Sequence, residues 1–232
     1  MEILRFSGLA DILTKEIGRR RGLVVLEKLA GMNPKPAIVF FGLYPDVIYK
    51  IFNLTDPSER YFDEARRLCD LWGLDFESFG AGVEYNSGIN AYKSGSEAML
   101  GDKKADVIIY WGTALNHFQP FKEEKEKEFF RILEEEKRRY GSDFSGRHRA
   151  VRRRHKKTTR EPLSFHELVD LFAADSSCLK DGGIIITNCR KDFNRLSPVM
   201  ALLGFSFSNY IFHFPEQFAI RERMITIWKR NN

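Results

Sequence analysis

The sequence is poor in the residues that tie a chain to metals, disulfides or membranes. Its three cysteines, Cys69, Cys178 and Cys189, are far apart, odd in number and never in a C-x-x-C pair. That argues against a disulfide framework and against a zinc site, and a reduced, cytoplasmic setting is expected. The five histidines (117, 148, 155, 166 and 213) show no ligand spacing, so no metal is expected either. The longest apolar runs, Ala37–Leu43 and Val107–Trp111, are far too short to span a bilayer. Met1–Arg5 lacks the charged start, apolar centre and small-residue cleavage site of a secretory leader. There is no G-x-G-x-x-G, no phosphate-loop motif and no internal repeat.

What is present suits one globular α/β domain over residues 1–232, with N-terminal helices in 1–35 and a charged insertion at 119–162. The chain has 232 residues, 43% of them hydrophobic and 13% aromatic, enough to bury a core. The net charge of +5 is uneven. Arg147–Arg160 carries eight Arg or Lys and no acid, and without those cations the net charge would be −3. Such a segment can neutralise several phosphates and bind nucleic acid in a salt-dependent way. It contains no aromatic residue, so base stacking and sequence preference are not indicated. It reads equally as a solvated loop paired with Glu134–Glu136, or as a lid that recruits an anionic substrate.

The organising stretch is Val107–Trp111, a continuous apolar run without polar alternation, as expected of a strand buried on both faces. It stops at Gly112-Thr113, followed by Asn116 and His117, so polar chemistry begins where the strand ends. In open α/β sheets, ligands bind outside the carboxyl ends of strands. Earlier in the chain, Met1–Asn33 reads as helical, with Leu9, Ile12, Leu13 and Ile17 on one face and Leu23, Leu26 and Leu29 on another. Pro36–Phe41 and Val47–Leu54 read as strands. Asp56-Pro57-Ser58 opens a helix over Glu59–Trp72. Phe76–Gly82 reads as a strand, and Glu84–Gly101 as loop or short helix. Lys122–Tyr140 is helical, with acids early and bases late along the helix dipole. Leu163–Cys178 is a helix, Asp181-Gly182-Gly183 a tight turn, Ile184–Asn188 a buried strand and Leu196–Leu203 a helix. Asn209–Phe214 and Met224–Lys229 close the chain as an antiparallel pair.

The second half has an ordered grammar: Asp106 at a strand start, the Gly/Asn/His loop, then a helix running into Leu179-Lys180-Asp181-Gly182-Gly183. A strand follows, then Gly204-Phe205 and the closing strands. This series resembles the C-terminal half of class I S-adenosylmethionine-dependent methyltransferases, whose Leu-Lys-Pro-Gly-Gly turn precedes the fifth strand. The resemblance covers Asp106–Phe118 and Leu163–Lys229. It implies a doubly wound, mostly parallel Rossmann-like sheet with an antiparallel C-terminal strand, here carrying a helical and basic insertion.

The same resemblance implies S-adenosylmethionine as cofactor and methyl transfer to an acceptor the sequence does not name. Gly42, Asp56, Trp111 and Gly112 would hold the cofactor. Asn116 would face the acceptor, and His117 would act as general base. Arg152 and Arg153 belong to the insertion, which the family lacks, and would recruit an anionic acceptor if that segment borders the pocket. Asp56 reads alternatively as a plain helix cap, and His117 as the cap of the helix after it or as a surface residue. The glycine-rich turn of the family is missing, with Gly42 alone in its place. Leu43–Asp46 is too short for a parallel crossover. Three arrangements follow: a first helix shrunk to a turn, a hairpin of the two early strands, or Ile48–Leu54 as the first strand. The alternative to an enzyme is a catalytically inactive methyltransferase-like protein that binds nucleic acid or a partner through Arg147–Arg160. A third option, another nucleotide-binding α/β enzyme, has no motif in its favour.

Overall fold

The computed structural model describes residues 9–28, 30, 33–53, 58–87, 91–111, 131, 135, 138, 139, 163–188, 190–216 and 219–231. The chain divides into two compact units, Met1–Ala114 with Phe165–Asn232, and Leu115–Ser164. Within the smaller unit, Arg131 and Glu135 form an ion pair one helical turn apart, at 2.6 Å.

The larger unit is built on seven strands: β1 (Val24–Lys28), β2 (Ile48–Asn53), β3 (Val83–Ser87), β4 (Ala105–Tyr110), β5 (Leu179–Thr187), β6 (Phe205–Glu216) and β7 (Ala219–Arg230). They form one sheet in the order β3-β2-β1-β4-β5-β7-β6. The pairs among β1 to β5 are parallel, and β7 runs antiparallel to both β5 and β6. The helices are α1 (Leu9–Glu16), α2 (Lys35–Leu43), α3 (Ser58–Trp72), α4 (Phe76–Gly82), α5 (Ala91–Leu100), α6 (Phe165–Ser177) and α7 (Arg190–Leu202). One face of the sheet packs with α1 to α4 into a core that includes Val25, Tyr49, Ile51, Val107, Ile109, Ile186 and Ile227.

The doubly wound, mostly parallel sheet expected from the sequence is present, and so is the antiparallel closing pair. The organising run is β4, buried along its whole length. The first third of the chain departs from the sequence reading at three places. Val24–Lys28 is a strand rather than the end of a helix. It follows Gly22, whose φ of 60° turns the chain, and all five of its residues are buried. Its entry is fixed by carboxylates: Gly22 N–H donates to Asp46 (2.9 Å), and Val24 N–H to Asp106 (2.8 Å). Asp106 also receives Lys180 Nζ at 2.7 Å.

Lys35–Leu43 is a helix rather than a strand. Pro36 in its first turn suits helix geometry, and Pro36–Phe40 are all buried because α2 lies against both α1 and α3. An apolar run buried on all sides has no period by which sequence alone separates helix from strand. Gly42 therefore lies in the last turn of α2, not in a turn after a strand.

Phe76–Gly82 is helical too. Asp75 caps it, accepting from Glu77 N–H (3.2 Å) and Ser78 N–H (3.3 Å), and Phe79 is its buried anchor. The third strand starts one residue later, at Val83. Asp181-Gly182-Gly183 is an irregularity within β5 rather than a turn before it. The register with β4 shifts between Ala105 and Val107, and Gly182 has φ 70°. A Cβ on Gly183 would stand 2.9 Å from the Lys180 carbonyl oxygen and 3.2 Å from that of Asp106.

Candidate functional site

In this sheet the strand order reverses between β1 and β4. Open α/β sheets hold their ligands outside the carboxyl ends of the strands at such a point. The residues closing β1 and β4 are Glu27, Lys28 and Tyr110, with Trp111 following.

Parallel registers show how the edge is made. On one face, a row one residue from the strand ends reads Ile51, Glu27, Ile109, Ile186 and Ile227 across β2, β1, β4, β5 and β7. Glu27 is the lone polar member. It is fully buried, and Tyr49 O–H donates to its Oε2 at 2.7 Å. Among the described residues its Oε1 has no partner, and neither has the hydroxyl of Tyr61, from α3 on the same face. Burial raises the Glu27 carboxyl to about 8, only partly offset by the Tyr49 hydrogen bond. Burial and the neighbouring Glu27 push the Tyr49 and Tyr61 phenols well above their usual range.

On the opposite face, the terminal row reads Phe52, Lys28, Tyr110, Thr187, Thr226 and Asn209. One step back lie Lys50 on β2 and then Leu26, Ile108, Ile185 and Trp228, apolar from β1 to β7. The ends of β1, β4 and β5 on this face thus turn polar together, and the groups are paired. Lys28 Nζ meets the Asp175 carboxylate of α6 and lies 3.4 Å from the Tyr110 hydroxyl. Tyr110 O–H donates to the other Asp175 oxygen, and Ser96 Oγ of α5 donates to Asp175 at 2.5 Å. Burial and the Asp175 charge push the Tyr110 phenol well above its usual range. Trp228 Nε1 donates to Thr187 Oγ1 at 3.1 Å, and Thr226 Oγ1 to Asn209 Oδ1 at 2.8 Å.

Among the residues expected to form the site, Trp111 sits where the reading put it. It follows β4 at the switch point, half-buried and packed against the core on the Glu27 face. Gly42 is removed from the glycine turn, because the connection after the first strand is Leu29–Pro34 and Gly42 lies in the helix beyond it. In that connection Asn33 N–H donates to Ala30 O at 3.2 Å, and Asn33 Oδ1 accepts from Lys35 N–H at 3.3 Å. Asp56, Gly112, Asn116, His117, Arg152 and Arg153 lie outside the described residues, as does all of Arg147–Arg160.

Sequence reasoning missed Glu27 and Lys28, along with Asp175. A signal was available: Gly22, the branched pair Val24-Val25, then Gly31 and Asn33-Pro34 bracket a strand and its exit. Asn53, the end of β2, follows Gly31 by about twenty residues, the spacing of nucleotide-binding βαβ units. Counted from Gly42 that spacing is too short.

No protein-family model and no curated protein matches this sequence. Solved structures do match its fold. The strand order, the single reversed β7 and these matches define a class I methyltransferase-like fold. Precorrin-6Y C5,15-methyltransferase from Geobacter metallireducens GS-15 aligns over 97% of this chain and 88% of its own, with 10% identity and a TM-score of 0.54. The N-methyltransferase NodS from Bradyrhizobium japonicum WM9, solved with S-adenosyl-L-homocysteine, aligns over 99% and 88%, with 7% identity and a TM-score of 0.52. A precorrin 8W decarboxylase from Methanobacterium thermoautotrophicum aligns over 97% and 90%, with 11% identity and a TM-score of 0.50. Identities this low carry the fold and not the reaction. Among the described residues no group of His, Cys, Asp and Glu is placed to hold a metal. No helix among them is long and apolar enough to cross a membrane.

Proposed function

We propose that this chain is an S-adenosylmethionine-dependent methyltransferase, with the cofactor at the carboxyl ends of β1, β2 and β4. The observation that carries the reading is the strand order, which reverses between β1 and β4 and sets Trp111 at the reversal. The edge suits a cationic nucleoside in one respect: Trp111 offers a half-buried ring at the β4 end.

When bound, S-adenosylmethionine supplies a methyl group already activated on a sulfonium. The protein's part is then mostly to hold and orient. Trp111 and Gly112 would border the cofactor, and Asp56, three residues past β2, would accept from the ribose hydroxyls. Asn116 would orient the acceptor, and Arg152 and Arg153 would draw it in if it is anionic. His117, as a neutral imidazole, would take the proton from the attacking hydroxyl or amine.

Calorimetric titration with S-adenosylmethionine and S-adenosylhomocysteine tests the reading. A single saturable site supports it, and no heat at about millimolar ligand overturns it. Asp56→Ala is expected to weaken binding about tenfold, the loss of one charge-assisted hydrogen bond. His117→Ala is expected to slow turnover by about 10²–10⁴-fold while leaving cofactor affinity intact. If the ligands do not bind, yet deletion of residues 147–160 abolishes salt-sensitive RNA retention, the chain is a binding protein on this scaffold.

A further inference from the structure

Outside the contacts proposed for the cofactor, the largest unexplained feature is a charged network sealed inside the protein. Lys28 and Asp175 are 1% and 0% exposed, and Ser96 and Tyr110 are nearly as deep, at 5% and 2%. Each comes from a different element: the last residue of β1, the last residue of β4, the middle of α5 and the end of α6. Burying an ammonium and a carboxylate together rarely gains stability over well-packed apolar residues of the same size. The best-attested gain from a buried polar network is a fixed register, because its hydrogen bonds are satisfied in one arrangement only.

The network sits where such a constraint matters. Lys28 and Tyr110 are register partners, directly opposite each other across the β1–β4 pair. Tyr110 is in turn opposite Thr187 at the end of β5. Asp175 joins the two strand ends through both of its oxygens, one to Lys28 and one to Tyr110. Ser96 braces the Lys28-bound oxygen from α5. The Phe172 ring, one turn earlier in α6, packs 5.3 Å from that of Tyr110 and closes the network with apolar surface. One step back, β1, β4, β5 and β7 present only Leu26, Ile108, Ile185 and Trp228, and the polar member of that row, Lys50 on β2, donates to Glu84 of β3 and to the Met99 carbonyl of α5 rather than to β4.

We infer that Asp175 is a positioning residue which, through Lys28 and Tyr110, locks the carboxyl ends of β1 and β4 and so sets the floor of the cofactor site. The consequence for the cofactor rests on the reading proposed above; the locking of the strand ends does not.

Two variants separate positioning from bulk stability. Lys28→Met with Asp175→Leu replaces the ion pair by apolar side chains of similar size, and Tyr110→Phe removes one hydroxyl. Amide hydrogen exchange is followed at residues 28, 110 and 187, against the mid-strand amides of 26, 108 and 185, and S-adenosylhomocysteine affinity is measured alongside. Both variants are expected to melt cooperatively. Their strand-end amides should exchange about tenfold faster or more, while the mid-strand amides track global opening. Affinity for S-adenosylhomocysteine should fall by about tenfold, the effect of one misplaced polar contact. Unchanged exchange at 28 and 110, or equal acceleration along the whole strands, overturns the inference. Faster strand-end exchange with unchanged affinity also overturns it as a statement about the site. If wild-type protein binds no S-adenosylhomocysteine, the cofactor reading fails, and the exchange pattern alone decides whether the strand ends are locked.

Discussion

Glu27 and Lys28 are neighbours in one strand, both fully buried, and the sheet sends them to opposite faces. Glu27 enters a row of isoleucines, with one donor from Tyr49 and one oxygen left unmet. Lys28 lies in register with the polar ends of β4 and β5, Tyr110 and Thr187, and is met by Asp175 and Tyr110. Two adjacent positions of one strand therefore carry two solutions to burying an ionisable group. One keeps the group neutral at neutral pH, its carboxyl raised to about 8 by burial. The other keeps charges and pairs them. A charge is tolerated inside a protein only when its partners are supplied, and where they are not, protonation replaces them.

The contrast is sharpest where the paired side is broken. Asp175→Ala leaves the Lys28 ammonium buried without its carboxylate and is expected to cost about 3–5 kcal/mol in denaturant unfolding. The Lys28→Met/Asp175→Leu pair should restore most of that loss. If the single and double variants are equally destabilised, the pair is not what keeps Lys28 inside.

The unpaired side should show itself in pH dependence. Because folding raises the Glu27 carboxyl from 4.5 to about 8, the folded protein holds a proton there that the unfolded chain releases above about 4.5. That contribution is complete below about 4.5, is lost progressively as pH rises, and is gone above about 8, with a slope of up to about 1.4 kcal/mol per pH unit. Glu27→Gln keeps an acceptor for Tyr49 and should remove this part of the slope. A wild-type slope unchanged in the variant would mean that Glu27 does not hold the proton.

Removing a single hydroxyl from each side should have opposite signs. Tyr110→Phe takes a donor from a buried carboxylate and should cost about 1.5–3 kcal/mol. Tyr61→Phe removes a buried hydroxyl that has no partner among the described residues and should stabilise by about 1 kcal/mol. Equal signs from the two variants would erase the distinction between the faces.

The same two residues explain how far the sequence could be read. Beyond residue 105 the strands declare themselves: Val107–Tyr110 and Ile184–Ile186 are unbroken apolar runs, and Gly182-Gly183 and Gly204 mark irregular backbone where it occurs. In β1 only Val24–Leu26 are apolar, and the Glu27-Lys28 pair that follows has the composition of a solvated surface. The partners that make its burial tolerable are 22 positions away for Tyr49 and 147 for Asp175, beyond any local pattern. Pro36–Phe40 failed in the opposite direction. It is apolar on every side because helices flank it, and that erased the period by which a helix is recognised. Losing β1 moved the expected glycine turn to Gly42, while the position of Trp111 needed only the self-evident strand before it.

The most direct test of a cofactor at the switch point uses Trp111, one of three tryptophans with Trp72 and Trp228. S-adenosylhomocysteine titrated into wild-type protein should quench intrinsic fluorescence with the same midpoint found by calorimetry. In Trp111→Phe the quench should disappear while calorimetric binding persists, weakened. A quench that survives intact in Trp111→Phe would place the ligand elsewhere and contradict the assignment of the site.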